Sequence, residues 1–205
     1  MMSCAAALPA DLETRFDVAG VAMVEHALDR HDLLAMDRAF PDLAHGSGGA
    51  RSAAFRPDDF GWLAGHEGLL ELGKRLGRGP MVLMRALALD KSPEANWFVP
   101  WHQDRADETR ERCAQALARM VTLRVHLDDC GEDNGPLEVL PGSHLAGRLD
   151  RAAIADLSAR AMPLLCLAVR GDILAMRPLL VHRSQRARSP RRRRVLHLEY
   201  APAGD

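Results

Sequence analysis

Lysine is nearly absent from this 205-residue chain: Lys74 and Lys91 are the only two among 27 cationic residues, the other 25 being arginines. Excess positive charge is missing as well, because 28 acids give a formal net charge of -1. Nucleic-acid affinity depends largely on such an excess, so a dedicated nucleic-acid binder is excluded. Aromatic residues are only 4%, which leaves no platform for base stacking. Cys4, Cys113, Cys130 and Cys166 form no CxxC pair and no zinc-ribbon spacing, so neither a disulfide framework nor a structural zinc site is indicated. No apolar run approaches the roughly 20 residues of a membrane helix. The start, Met1 to Leu8, lacks a basic segment and an apolar one, so no signal peptide is expected and the cytoplasm is the expected compartment. What is present is ordinary globular material, 47% hydrophobic and 27% charged, of a length that predicts a single domain over residues 1–205.

Residues 1–80 read as a helical buttress with one strand. Leu12 to Phe16 and Asp32 to Phe40 have helical spacing, and Gly20 to Glu25 alternates like a strand. Gly46, Gly48 and Gly49 mark a loop, and one helix is expected after Pro57, capped by Asp58 and ending at Gly77 and Gly79. From Met81 the chain changes to short strands punctuated by Gly, Pro and Asn: 81–89, 121–127, 137–140, 164–169, 173–176 and 195–200. Only Asp107 to Met120 and Arg151 to Ala161 look helical there. Evenly spaced short strands over residues 81–200 predict a mainly β, α+β protein with a jelly-roll core.

The densest polar cluster is Trp101-His102-Gln103-Asp104. If these residues continue a strand, His102 and Asp104 project to one face and an imidazole and a carboxylate can meet one metal ion, while Gln103 points away. With nine histidines and 28 acids in the chain, the same pair also arises by chance. His182, at the end of the apolar run Pro178 to Val181, is the best third ligand; two histidines and a carboxylate are the facial triad of non-haem Fe(II) oxygenases. A packed histidine with a hydrogen-bond partner is the alternative. In a strand through Val195 and Tyr200, Arg193 and Arg194 face opposite sides, so one points inward while its neighbours in Arg191 to Arg194 are solvated. A buried guanidinium needs an acidic partner, which a bound dicarboxylate supplies.

The ordered series Asp90-Lys91-Ser92-Pro93-Glu94-Ala95-Asn96-Trp97, Trp101-His102-Gln103-Asp104, Asn134-Gly135-Pro136-Leu137-Glu138-Val139-Leu140-Pro141-Gly142-Ser143-His144, Gly171-Asp172, Pro178 to His182 and Arg193 resembles the phytanoyl-CoA dioxygenase family of Fe(II)/2-oxoglutarate oxygenases. The resemblance covers residues 80 to 200 and implies a double-stranded β-helix, cupin-like core. It implies that His102, Asp104 and His182 hold Fe(II) and that Arg193, helped by Ser184, binds the far carboxylate of 2-oxoglutarate. It further implies a co-substrate role for Thr122, with Arg85 reaching the co-substrate or an acidic substrate. Arg124, His126 and His197 share the inward parity of their strands, and His144 is a loop residue that does not bind metal. The segment between Asp104 and Met120 is shorter than the covering loop of relatives, which leaves the substrate open.

The expected activity is hydroxylation of a C–H bond of a small metabolite with O2 as oxidant and release of succinate and CO2. A small acidic or amino-acid-like substrate is expected from Arg85, Arg124 and Arg177 as pocket cations, with neither nucleic acid nor membrane as a partner and a monomer or homodimer as the assembly. The alternative from another class is a non-catalytic jelly-roll binding protein that keeps the ligand set.

Overall fold

The structure is a computed structural model that describes residues 10–40, 52–54, 61–104 and 114–204. The sequence-predicted loop at Gly46 to Gly49, the cap Asp58 and most of the covering segment after Asp104 lie outside these residues. The helices are α1 (Leu12–Ala19), α2 (Arg30–Ala39), α3 (Gly61–Ala64), α4 (Glu67–Gly77), α5 (Ala114–Arg119) and α6 (Arg151–Arg160). The strands are β1 (Val21–Val24), β2 (Ser52–Ala54), β3 (Met81–Lys91), β4 (Val99–His102), β5 (Val121–His126), β6 (Leu137–Val139), β7 (Leu164–Cys166), β8 (Ile173–Met176), β9 (His182–Ser184) and β10 (Arg193–Pro202). They form a six-stranded sheet, β1-β8-β5-β10-β3-β2, and a four-stranded sheet, β4-β9-β6-β7. Every strand pairing is antiparallel, as a jelly roll requires.

Alternation along the central strands explains the layering. Val121, Leu123 and Val125 of β5, Leu196, Leu198 and Tyr200 of β10, and Ala86 and Ala88 of β3 face outward and pack on Phe16, Met36, Leu69, Leu72 and Leu76 of the helices. The opposite faces turn toward the small sheet. At one end of the roll, Val21, Leu137, Val139, Cys166, Leu174, Met176 and Leu180 close the space between the sheets.

The N-terminal segment does more than buttress. β1 pairs with β8, Val21 opposite Met176, and β2 pairs with β3, so residues before 81 provide both edges of the large sheet. The single helix expected after Pro57 is two helices, because His66 breaks out of helical geometry and caps α4, its Nδ1 accepting from Leu69 N–H at 3.3 Å. That imidazole also places Nε2 3.2 Å from Asp32 Oδ1 and so ties α4 to α2. α2 opens two residues before the expected Asp32, because the Asp29 side chain caps it by accepting from Asp32 N–H. Among the described residues no helix is long and apolar enough to cross a membrane.

Arg177 corrects one expectation. Instead of entering a pocket between the sheets, its guanidinium donates to Asp17 Oδ1 at 2.8 Å, Leu76 O at 3.2 Å and Met120 O at 3.3 Å, and lies 4.4 Å from the Phe16 ring centroid. One buried side chain thus joins α1, α4 and the start of β5. Arg177→Met removes the charge-assisted bonds and leaves two buried carbonyls short of a donor. The expected loss is about 2–3 kcal/mol of unfolding free energy, measured by urea denaturation with an unchanged m-value.

Candidate active site

The small sheet presents its side chains in two sets. On its outer face Arg183 of β9 pairs with Glu138 of β6 at 2.7 Å and lies 4.6 Å from the centroid of the Trp101 ring of β4, clamping three strands together. By alternation the neighbours of Trp101 and Arg183, His102 and His182, turn inward, where they stand directly opposite in the β4–β9 ladder. Val99 also lines the interior although it is three positions from His102. A bulge between them accounts for this, since β4 spends one more residue than β9 over that stretch, and Pro100, which has no N–H to pair, sits within it.

β4 ends at His102, so Asp104 does not reach the site through strand parity. It reaches it through a turn whose geometry other groups impose. The Asp104 N–H donates to Pro178 O at 2.9 Å. Gln103, pointing the other way, donates Nε2–H to Leu179 O at 2.7 Å and Gly147 O at 2.8 Å and accepts from Leu149 N–H at 2.9 Å.

The result is a compact donor set. His102 Nε2 lies 3.4 Å and His182 Nε2 3.6 Å from Asp104 Oδ1, and the two imidazole centroids are 4.1 Å apart. One ligand atom from each of the three residues falls within 4.8 Å of the others. Both histidines use Nδ1–H to bond a carbonyl two residues back, Pro100 O for His102 and Leu180 O for His182, each at 2.9 Å. This sets the tautomer in which Nε2 carries a lone pair aimed inward. Asp104 Oδ2 is buried without a hydrogen-bond partner among the described residues. An orphaned carboxylate oxygen beside two imidazole lone pairs fits a cation.

Electrostatics agree. Burial opposes ionisation of Asp104, but the charge of His182, the hydrogen bond from His102 and the charge of His197 outweigh it and hold the carboxyl well below its usual range. Burial pushes His182 down to about 4, so it is neutral at ordinary pH. Burial also works against the charged form of His102, yet the hydrogen bond and charge of Asp104 win and raise its pKa above 6.5.

Around the triad, a cavity of ≈ 250 Å³ is lined by Arg85, Trp97, Arg124, Ser184, Arg193, His197 and Glu199, among others. Arg193, deeply buried, donates Nη1–H to Gly135 O, and its Nε has no partner among the described residues. Ser184 Oγ donates to the same Gly135 carbonyl at 3.0 Å and accepts from Lys91 Nζ, also at 3.0 Å. Gly135 has φ +62, and a Cβ there would stand 2.6 Å from Gln185 O, so only glycine suits this crossing point. Burial and the nearby Arg193 charge push Lys91 down to about 7, and burial with Arg193 pushes Arg124 down to about 10. The cavity is therefore strongly anion-seeking.

Of the sequence-predicted residues, His102, Asp104, His182, Ser184, Arg193, Arg124 and His197 come together here. Arg85 and Thr122 do not join Arg193. Both stand opposite Glu199, six positions along β10 from Arg193, or about 20 Å of strand. Thr122 is buried beyond the cavity lining, so a shared co-substrate contact does not fit it. His126 is also buried in the wall, and burial pushes it down to about 3. His144 stays off the site, its Nε2–H donating to Asp17 O at 3.1 Å. The neighbours of Arg193 are not simply solvated, as expected, but paired: Arg191 with Asp133, Arg192 with Asp90, and Arg194 with Asp128. Sequence reading missed Glu199, whose parity with Arg193 and His197 was signal enough.

A family model described as phytanoyl-CoA dioxygenase (PhyH) matches residues 69–195. L-proline trans-4-hydroxylase of Streptomyces griseoviridis is 34% identical over 85 residues, which cover 42% of this chain and 31% of that protein. The match thus spans about a third of that curated relative's length. Among solved structures, the non-heme alpha ketoglutarate dependent carbocyclase SnoK from nogalamycin biosynthesis superposes with TM-score 0.81 at 16% identity, over 99% of this chain and 87% of that one. HygX from Streptomyces hygroscopicus, with nickel and 2-oxoglutarate bound, gives TM-score 0.76 at 17% identity, over 97% and 89%. These likenesses establish the jelly-roll fold.

Two pH effects follow from the site. His102 is the ligand that protonates first on acidification, so Co(II) affinity, read from its visible spectrum, falls about tenfold per pH unit below the raised pKa of His102. His102→Ala abolishes the dependence together with most of the binding. Lys91, with a folded pKa of about 7 against 10.5 unfolded, is deprotonated in the folded protein while the unfolded chain still holds its proton. Stability therefore rises with pH between those values. Thermal melts at pH 7, 8 and 9 are expected to show this rise, and Lys91→Met to flatten it.

Proposed function

The chain belongs to the phytanoyl-CoA dioxygenase family, and on that premise we propose that it is a non-haem Fe(II)- and 2-oxoglutarate-dependent dioxygenase that hydroxylates a C–H bond of a small acidic or amino-acid-like molecule. The observation that carries this reading is the donor set itself: two imidazole Nε2 atoms and a buried carboxylate oxygen without a hydrogen-bond partner among the described residues, backed by the buried Arg124 and Arg193, which meet no acid among those residues. The names of the relatives, a proline hydroxylase and a protein holding 2-oxoglutarate, support it.

His102, Asp104 and His182 would hold the iron on one face and leave the other face to ligands that are not protein. With iron and 2-oxoglutarate bound, dioxygen is consumed, 2-oxoglutarate becomes succinate and CO2, and a substrate C–H becomes C–OH. The chain's own part is placement. Arg193 would take the distal carboxylate in a bidentate pair, steadied by the Gly135 carbonyl on its other edge, and the Ser184 hydroxyl would add a second donor by turning its proton from the Gly135 carbonyl to the ligand. Lys91, which does not reach the cavity lining, donates to the Ser184 hydroxyl from below and fixes its position. Arg124 donates Nη1–H to His197 Nδ1 at 2.9 Å and keeps its positive charge beside the triad, offsetting Asp104. Trp97, Val99 and Leu137 line the same cavity with apolar surface that limits access of water to the reacting atoms.

Anaerobic addition of Fe(II) and 2-oxoglutarate is expected to give a visible charge-transfer band that His102→Ala loses. Arg193→Ala should weaken 2-oxoglutarate binding by about 3 kcal/mol or more, the cost of removing one partner of a buried charge pair. A wild-type protein that forms no band sinks the reading; a band without succinate formation for any substrate supports the binding-protein alternative.

A further inference from the structure

Antiparallel partners stand side by side, so the inner face of the large sheet carries its side chains in rows across β3, β10 and β5. One row is Arg85, Glu199 and Thr122; the next is Leu87, His197 and Arg124; then come Leu89, Val195 and His126, and last Lys91 and Arg193. His197 marks the level of the triad, with Nε2 3.9 Å from Asp104 Oδ2. Along β10, Arg193 lies four positions to one side of His197, about 13 Å, and Glu199 two positions to the other, about 7 Å. A co-substrate anchored on Arg193 and extending to the triad therefore leaves the Glu199 end of the cavity to the second reactant.

That end carries an ion pair. Arg85 Nη1 is 3.5 Å from Glu199 Oε1, and both residues line the cavity. The two differ in depth: the Glu199 side chain is 4% exposed and the Arg85 side chain 38%. Glu199 is also held from behind. Because Arg124 donates to His197 Nδ1, the proton of that imidazole sits on Nε2, which donates to Glu199 Oε1 at 3.3 Å. The carboxylate is thereby fixed as an acceptor at the inner end, with a guanidinium at the mouth.

We infer that the primary substrate is a zwitterion, an α-amino or α-imino acid, whose ammonium is received by Glu199 and whose carboxylate is received by Arg85. The inference rests on the dioxygenase reading above and selects one of its two substrate classes. A simple anion satisfies Arg85 but sets a like charge against the buried Glu199. A simple cation satisfies Glu199 and repels Arg85. A zwitterion presents the matching charge to both residues at once, so the pair discriminates by penalising either half alone. The order of the charges also sets the pose, with the amino end inward toward the triad level and the carboxylate at the mouth.

The test uses the full chain loaded anaerobically with Fe(II) and 2-oxoglutarate. Probes are the protein amino acids including L-proline, followed by the N-acetyl and amide derivatives of whichever binds. Binding is read anaerobically as a perturbation of the charge-transfer band and by calorimetry, and turnover, once O2 is admitted, as substrate-stimulated succinate release. At least one free amino acid is expected to bind, with its capped derivatives at least 30-fold weaker. Glu199→Gln should narrow the gap between the free amino acid and its N-acetyl form by tenfold or more, Glu199→Asp should restore part of it, and Arg85→Gln should narrow the gap to the amide. Variants that weaken all probes equally, with folding checked by circular dichroism, would reduce the pair to a structural role and overturn the inference. So would an intact band with no response to any free amino acid, a result that leaves the dioxygenase reading standing. Failure to form the band at all defeats that reading, and this inference with it.

Discussion

Three consecutive carbonyls, those of Pro178, Leu179 and Leu180, hold the candidate site in place. The first accepts from the Asp104 backbone, the second from the Gln103 side chain, and the third from the His182 ring. Two of the three candidate ligands, Asp104 and His182, and Gln103, which lies between His102 and Asp104, are thus referenced to one short stretch of backbone. The stretch is itself anchored just upstream, where Arg177 N–H donates to Gly20 O and the Arg177 guanidinium reaches into the helical layer. The helices outside the large sheet therefore bear on the geometry of the candidate site without contributing a residue to the donor set. A change in that layer is transmitted through the backbone position of the Pro178 to Leu180 segment.

The second organising constraint is electrostatic. Burial and the Arg193 charge depress the charged forms of Lys91 and Arg124, and Arg124 adds to the effect on Lys91. Asp104, the carboxylate of the triad, has its negative charge directed at the two histidines. Assembling such a cavity costs stability, since desolvated like charges are tolerated only where other interactions over-determine the fold. The apolar layer between the outer sheet face and the helices supplies that surplus. The same charges are what a dianionic ligand would neutralise, so the strain of the ligand-free cavity and its affinity have one origin.

Much of this was legible in the chain. Alternation located β3, β5, β8 and β10 and the inward parity of Arg193 and His197, because those strands are long enough for a period of two to show. β9, three residues long, carries no periodic signal and was not among the expected strands; only His182 itself was singled out, through the apolar run before it. β4 defeats parity for a physical reason: its bulge resets the face between Val99 and His102, and the strand stops before Asp104. Arg177 was misplaced because alternation says nothing about a residue just past the end of a strand, where hydrogen bonding to helix-terminal carbonyls decided its direction. Glu199 was overlooked although its spacing from Arg193 was available, since an acid at a predicted inner position reads as a conflict until the arginine opposite it is known.

The run Arg191 to Arg194 carries, as four identical letters, no information about its own alignment. Its specificity is stored elsewhere, in the scattered positions of Asp133, Asp90 and Asp128, each of which takes one arginine and leaves Arg193 without an acid among the described residues. Arg192 and Arg194 meet their acids through two nitrogens each, at 2.7–2.9 Å, a two-pronged fit that a lysine ammonium cannot reproduce. A slip of β10 by one residue would break both forks and turn Arg193 out of the cavity. The acids therefore act as a lock whose key is a homopolymer, and the near-absence of lysine follows wherever a charge must also encode a position.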